Sequence, residues 1–262
     1  MSLSAVAKFL PGADLLLWLS PLGRASKYFA LTAISAPRIS FDWDELRPIC
    51  RWMGPESFHL VGLAAVFVAI ALTMQCVLEL ERYQAQDLAG AVISIGLLRE
   101  MGPLTVSLAW CARVTALIAD QAQSFSRQNP EASDQEFAAN FIAPRYALAL
   151  AMSVPLGGYG LLVGFVTGAL VTPLLTISTT QQFLDSARSI IQNKDLAVYF
   201  VKLILVNPTI AIFAGCVAGR LAARDYVTEG SPLSSAAARA VTALFVCAFA
   251  ANLIVTLVTY LK

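Results

Sequence analysis

ISIGLLREMGPLTVSLAWCARVTALIADQ, residues 93–121, sets the architecture of this chain. The run is helical in character and almost uncharged, yet it holds Arg99, Glu100 and Arg113. An ionised side chain inside hydrocarbon costs about 2.5–3.5 kcal/mol or more on insertion scales, so charges at that depth tend to be kept for a use. Here opposite charges stand side by side and are followed by Gly102-Pro103, which puts a charge pair beside a helix irregularity. That combination belongs to a protein that handles something inside a bilayer.

The rest of the chain agrees. Its 262 residues are 58% hydrophobic and 13% charged, against about 25% charged in an ordinary soluble domain. This is the composition of a polytopic membrane protein. A net charge of +1 provides no basic field for nucleic acid. The five cysteines form no CxxC pair and read as small core hydrophobes. His59 is the only histidine and cannot build a metal site alone, so neither metal nor cofactor is expected. With no Walker A loop, HExxH or GxSxG, the chain is not expected to be an enzyme. Pro11, Gly12 and Asp14 interrupt the first apolar run, so no signal peptide is read and a mature start at Met1 is expected.

A spanning helix needs about 20 mostly apolar residues. Five segments qualify: 59–80, one within 88–122, 146–172, 198–220 and 237–261. The second is too long for a single crossing, since 35 residues would reach about 50 Å against a hydrocarbon core of about 30 Å. Gly102-Pro103 is the natural place to divide it into a short membrane-embedded helix (88–100) and a full span (103–122). Residues 1–52 are too broken to span and too apolar for water, and an amphipathic helix lying in the interface fits them. The expected fold is therefore all-α and integral to the membrane, with an interfacial N-terminal region (1–52) ahead of a five-span domain (53–262).

Lysine and arginine placement favours a cytoplasmic N-terminus, with residues 123–140 inside and 174–197 outside. In the latter segment Phe183, Leu184, Ala187, Ile190 and Ile191 recur at helical spacing and predict a short amphipathic surface helix. Gly160, Gly164 and Gly168, and again Gly215 and Gly219, stand four apart and predict close helix–helix packing in lipid. For Arg99-Glu100 two readings remain open. Each charge is neutralised by its neighbour or a carbonyl and pins the embedded helix, or the pair lies beside a cavity and contacts a polar headgroup.

The run Leu97-Leu98-Arg99-Glu100-Met101-Gly102-Pro103, with Arg113 and later Pro144-Arg145, resembles the MlaE/YrbE permease family of bacterial MCE-type lipid ABC transporters. The likeness extends upstream through Gln75 and Tyr83 and downstream through Asp225 and Ser234–Val241, covering roughly residues 45–262. The resemblance implies a permease subunit in the inner membrane, moving phospholipid between the inner and outer membranes. It implies several partners: a cytoplasmic ABC ATPase, a ring of MCE-domain proteins and a second permease subunit in a homo- or heterodimer. It implies a lipid site at Gln75, Leu78, Tyr83, Arg99, Glu100 and Met101. ATPase coupling would fall within 121–140, at Gln121, Arg127, Glu131, Asp134 and Glu136.

The chain also departs from the family pattern. The coupling segment is several residues shorter than usual, and Ala112 precedes Arg113 where glycine is common. A non-transporting scaffold or a divergent heterodimer half that anchors MCE proteins is the alternative. A secondary transporter or channel with Arg99, Glu100 and Lys202 as a charge relay is a third reading.

Overall fold

A computed structural model describes residues 13–35, 43–229 and 235–261. Parts of the interfacial N-terminal region, and Ser234 of the likeness to the family, lie outside the described residues, as does the side chain of Asp225. Among the described residues all regular structure is helical. The elements are α1 (Ala13–Ser35), α2 (Trp43–Met53), α3 (Phe58–Arg82), α4 (Ala89–Gly96), α5 (Ser107–Gln128), α6 (Ala143–Leu175), α7 (Thr180–Ile190), α8 (Asn193–Phe200), α9 (Asn207–Glu229) and α10 (Ser235–Tyr260). Five helical stretches are long and apolar enough to cross a membrane: Trp43–Arg82, Gln86–Gln128, Asp134–Leu175, Asn193–Arg224 and Ala236–Tyr260. The protein is an all-α membrane protein.

The second stretch is not divided at Gly102-Pro103. α4 passes into a ten-residue π-helix, Leu97–Val106, and that into α5. Proline lacks an N–H and crowds the carbonyl four residues back, so an α-register fails there. The wider π-turn keeps the chain helical instead. Two further π-segments, Phe137–Ile142 and Val201–Val206, stand before Pro144 and Pro208. Each of these three segments contains the residue four before its proline: Arg99, Asn140 and Ile204. Pro155 and Pro173 sit in α6 without widening it, so proline permits the π-turn but does not dictate it.

Among the described residues of the N-terminal region there are two helices, α1 and α2, where one was expected. α2 is strongly amphipathic, burying Leu46, Ile49 and Met53 while Arg47 and Arg51 stay exposed. The segment after the third span forms α7 as the spacing predicts. Thr179 caps it, its hydroxyl accepting from the Gln182 N–H at 3.2 Å, and Phe183 and Ala187 are buried. Leu184 and Ile190, counted on the same apolar face, are partly exposed, at 46% and 39%.

The chain groups into two compact units. One comprises Met1–Asp42, Val114–Ala147 and Ala211–Leu244; the other comprises Trp43–Arg113, Leu148–Ile210 and Phe245–Lys262. In the first unit the glycines of α9 bring backbones together. A Cβ on Gly215 would meet the Thr115 carbonyl at 2.8 Å, and one on Gly219 would collide with that of Ala119. Here Phe137 and Phe141 stack at 5.1 Å with Phe125 against both.

In the second unit Ala69, Val77, Ile93, Leu97, Ala169 and Phe183 form an apolar core. The glycine stripe of α6 lies along it, Gly160 against Val106 and Val61, Gly164 against Leu97, Gly168 against Phe183 and Ile93. Gly90 lets α4 meet α7 directly, since any side chain there would strike the Phe183 carbonyl.

Candidate functional site

The second unit contains a polar ladder among apolar helices, built on one face of α10. Asn252, Thr256 and Tyr260 are spaced by four, so they stack one turn above another. Opposite them come Asn207, Lys202 and Asp195, each hydrogen-bonded to its counterpart, and the Leu97–Val106 π-segment packs against both rows.

At one end Asn207 and Asn252 are both fully buried. Asn252 donates to Asn207 Oδ1 at 2.7 Å, and Asn207 donates to the Pro103 carbonyl at 2.9 Å and to Ser107 Oγ at 2.8 Å. The irregular backbone thus receives from a side chain a donor that a regular helix would supply itself.

One turn on, Lys202 is fully buried and spends all its donors. Its Nζ donates to the Arg99 carbonyl at 2.7 Å, to Thr256 Oγ1 at 2.6 Å and to Glu100 Oε1 at 3.4 Å. In an α-register the Arg99 carbonyl would take the N–H of residue 103, which proline does not have. The Thr256 hydroxyl accepts from Lys202 and donates to Glu100 Oε1 at 2.6 Å. At the far end Asp195 is buried, with both carboxylate oxygens engaged. Its Oδ1 accepts from Arg99 Nε at 2.9 Å and from the Tyr260 hydroxyl at 2.6 Å, and its Oδ2 accepts from the Gln192 N–H at 3.1 Å. The Tyr260 ring centre lies 4.3 Å from the Arg99 guanidinium carbon.

Arg99 and Glu100 therefore do not neutralise one another. Each is paired with a charge from α8 or the adjoining π-segment, Arg99 with Asp195 and Glu100 with Lys202. The buried partners are 1% and 0% exposed, whereas Arg99 and Glu100 are 30% and 39% exposed. The ladder holds two charges at the surface of the unit by means of two charges inside it.

The other residues singled out in the sequence fall as follows. Gln75, Leu78, Tyr83 and Met101 are exposed, the first two along α3 and Tyr83 just past its end. Arg113 is held by Glu56, at 3.7 Å to its carboxylate and 2.9 Å to its carbonyl, and lies 4.2 Å from the centre of the Trp52 ring.

The coupling candidates lie in the first unit. Gln121 accepts from Arg145 Nε at 3.1 Å, and Glu136 closes a capping box with Ser133. Arg127 is half-buried. Asp134 is engaged internally, with Lys27 at 2.5 Å, Arg220 at 3.0 Å and the Tyr28 hydroxyl at 3.4 Å. Burial pushes the Tyr28 phenol above its ordinary range, so it stays a hydrogen-bond donor. Glu131 is exposed.

Sequence reasoning does not reach Asp195, Thr256 and Tyr260, and meets Lys202 only in the charge-relay alternative. Asp195 lies in a segment read as outward-facing surface. The four-residue spacing of Asn252, Thr256 and Tyr260 is a legible signal, being a polar stripe in an otherwise apolar last span.

Five apolar spans, and within the second unit a partly exposed, fully braced charge quartet, define a multi-pass membrane protein with a built polar site among its helices. Residues 48–258 match the family described as Permease MlaE, and the chain belongs to that family. It is also similar to a probable ABC transporter permease protein of Synechocystis sp., at 26% identity over 207 residues, 75% of this chain and 76% of that one. The chain is a transporter permease subunit rather than an enzyme.

Proposed function

We propose that this chain is the membrane subunit of an ABC-type phospholipid transporter moving lipid between the inner and outer membranes of a double-membrane envelope. The observation that carries the reading is the division of labour in the quartet. Asp195 and Lys202 are spent inside the unit, while Arg99 and Glu100 reach its surface beside exposed Met101. A pair that only pinned a helix would have no need to be held open at the surface. Gln75, Leu78 and Tyr83 supply further exposed surface for the same lipid.

In this reading residues 1–52 are an interfacial region ahead of a permease domain over 53–262, and the protein sits in the inner membrane with its N-terminus in the cytoplasm. ATP is hydrolysed on a separate cytoplasmic ATPase chain that meets residues 121–140, at Gln121, Arg127, Glu131, Asp134 and Glu136. A second permease subunit completes the lipid cavity, and a ring of MCE-domain proteins carries the lipid onward. Membership of the Permease MlaE family and the likeness to a probable ABC transporter permease support this assembly.

The test is copurification followed by reconstitution. An ATPase, an MCE-domain protein and bound phospholipid should come down with the tagged chain, and ATP should drive lipid movement in proteoliposomes. An MCE protein without ATPase or lipid movement would make the chain a scaffold. Neither partner would leave a secondary transporter.

A further inference from the structure

Resting on the phospholipid reading above, the unused bonding capacity of the quartet narrows the headgroup. Arg99 is fixed by its Nε to Asp195 and by one face of its guanidinium to Tyr260, and its two Nη groups have no acceptor among the described residues. That leaves a planar fork, the geometry that suits a phosphate. Glu100 is fixed by Oε1 alone, to Thr256 and Lys202, and its Oε2 has no donor among the described residues. A free carboxylate oxygen accepts hydrogen bonds and repels a second anion.

The two open groups are held by residues one turn apart on α10, Tyr260 and Thr256, a rise of about 6 Å. We infer that the site is built for a zwitterionic headgroup carrying a phosphate and a primary ammonium, with the phosphate on Arg99 Nη1 and Nη2 and the ammonium on Glu100 Oε2.

The alternatives fit less well. A headgroup with a phosphate and only hydroxyls, such as glycerol, offers Glu100 Oε2 a neutral hydrogen bond but no cation, so the contact is weaker and a second negative charge is brought beside the carboxylate uncompensated. A quaternary ammonium has no N–H to give Oε2 and is normally held against aromatic faces, but the Tyr260 ring is already occupied by Arg99. Glu100 is thus the specificity-determining residue, and Lys202 and Thr256 are its positioning residues.

The test uses the full chain with its copurifying partners, reconstituted in nanodiscs of equimolar phosphatidylethanolamine, phosphatidylcholine and phosphatidylglycerol. Retained lipid is read by native mass spectrometry. The wild-type chain should retain phosphatidylethanolamine over phosphatidylglycerol by about fivefold, the discrimination expected of one partly exposed charge contact. Glu100→Gln keeps the Thr256 contact and should still retain lipid but lose that preference. Gly158→Ala serves as the comparison and should keep it, since a Cβ there enters open space and the position belongs to neither the charge quartet nor the exposed lipid surface.

Retained lipid that mirrors the nanodisc mixture, or enrichment of phosphatidylglycerol or phosphatidylcholine, overturns the inference while leaving phospholipid transport intact. An unchanged preference in Glu100→Gln overturns it too. Absence of any retained lipid overturns both this inference and the transport reading. Should Glu100→Gln not assemble, the wild-type preference alone decides.

Discussion

Lys202 is the residue on which the quartet depends, because it answers a backbone carbonyl, a hydroxyl and a carboxylate from one buried ammonium. Replacing one member of a buried ion pair typically costs about 3–5 kcal/mol, since the partner is left uncompensated. Lys202→Met should therefore lower the thermal midpoint of the detergent-purified protein sharply. Adding Glu100→Gln should recover part of the loss, with a coupling energy of roughly 0.5–3 kcal/mol in the double-mutant cycle. Strict additivity would mean that Lys202 and Glu100 do not interact. Tyr260 separates two contributions in the same way. Tyr260→Phe removes the bond to Asp195 but keeps the ring against Arg99, and should cost about 1 kcal/mol. Tyr260→Ala removes both, and should cost more by the cation–π interaction, roughly 0.5–2 kcal/mol.

Among the helical elements, close contacts in lipid rest on positions where no side chain fits. Gly90 in α4 abuts the Phe183 backbone of α7, whereas Gly158 in α6 has open space where its Cβ would be. Gly158→Ala should be neutral or stabilising by up to about 1 kcal/mol, the helix-propensity gain. Gly90→Ala should be clearly destabilising, because the obstacle is backbone and cannot swing away. Thermal unfolding of the two variants side by side checks the contrast, and equal midpoints would refute the α4–α7 contact. The π-segments belong to this level as well. The sequence reading divides the helix at Gly102-Pro103, yet Lys202 and Asn207 donate to the Arg99 and Pro103 carbonyls, and the helix widens instead of ending.

Across the protein as a whole, the proposed orientation and coupling rest on charge placement. Summed over all the connecting segments, lysines and arginines favour a cytoplasmic N-terminus, which puts 123–140 inside and 174–197 outside. In a cysteine-free background, Pro130→Cys should be labelled from the cytoplasmic side and Ile190→Cys from the outside. The reverse pattern would remove the coupling assignment, because residues 121–140 could not meet a cytosolic ATPase. Among the coupling candidates, Glu131 and Asp134 should behave differently. Asp134→Lys sets three cations together with Lys27 and Arg220 and should destabilise its own unit. Glu131→Lys alters an exposed position and should lower ATPase association with the thermal midpoint unchanged. Unchanged association would place the docking surface elsewhere.

Much was legible in the sequence because lipid imposes coarse, one-dimensional rules. Segments of about 20 apolar residues must become helices, since no water is available to satisfy a bare backbone, and five such stretches stand where hydropathy put them. The amphipathic spacing of Phe183 and Ala187 likewise marked α7, and LLREMGP marked the family. The partners of the charges were not legible. Asp195 is 96 residues from Arg99 and Lys202 is 102 from Glu100, so no spacing rule connects them. Only packing in three dimensions brings α8, the Val201–Val206 segment and α10 around one π-helix. The order of residues alone dictated that charges would be carried into a helical bundle. Which of them are spent inside it and which are held open was settled by the folded chain, because a buried charge persists only where neighbours remote in sequence complete its hydrogen bonds.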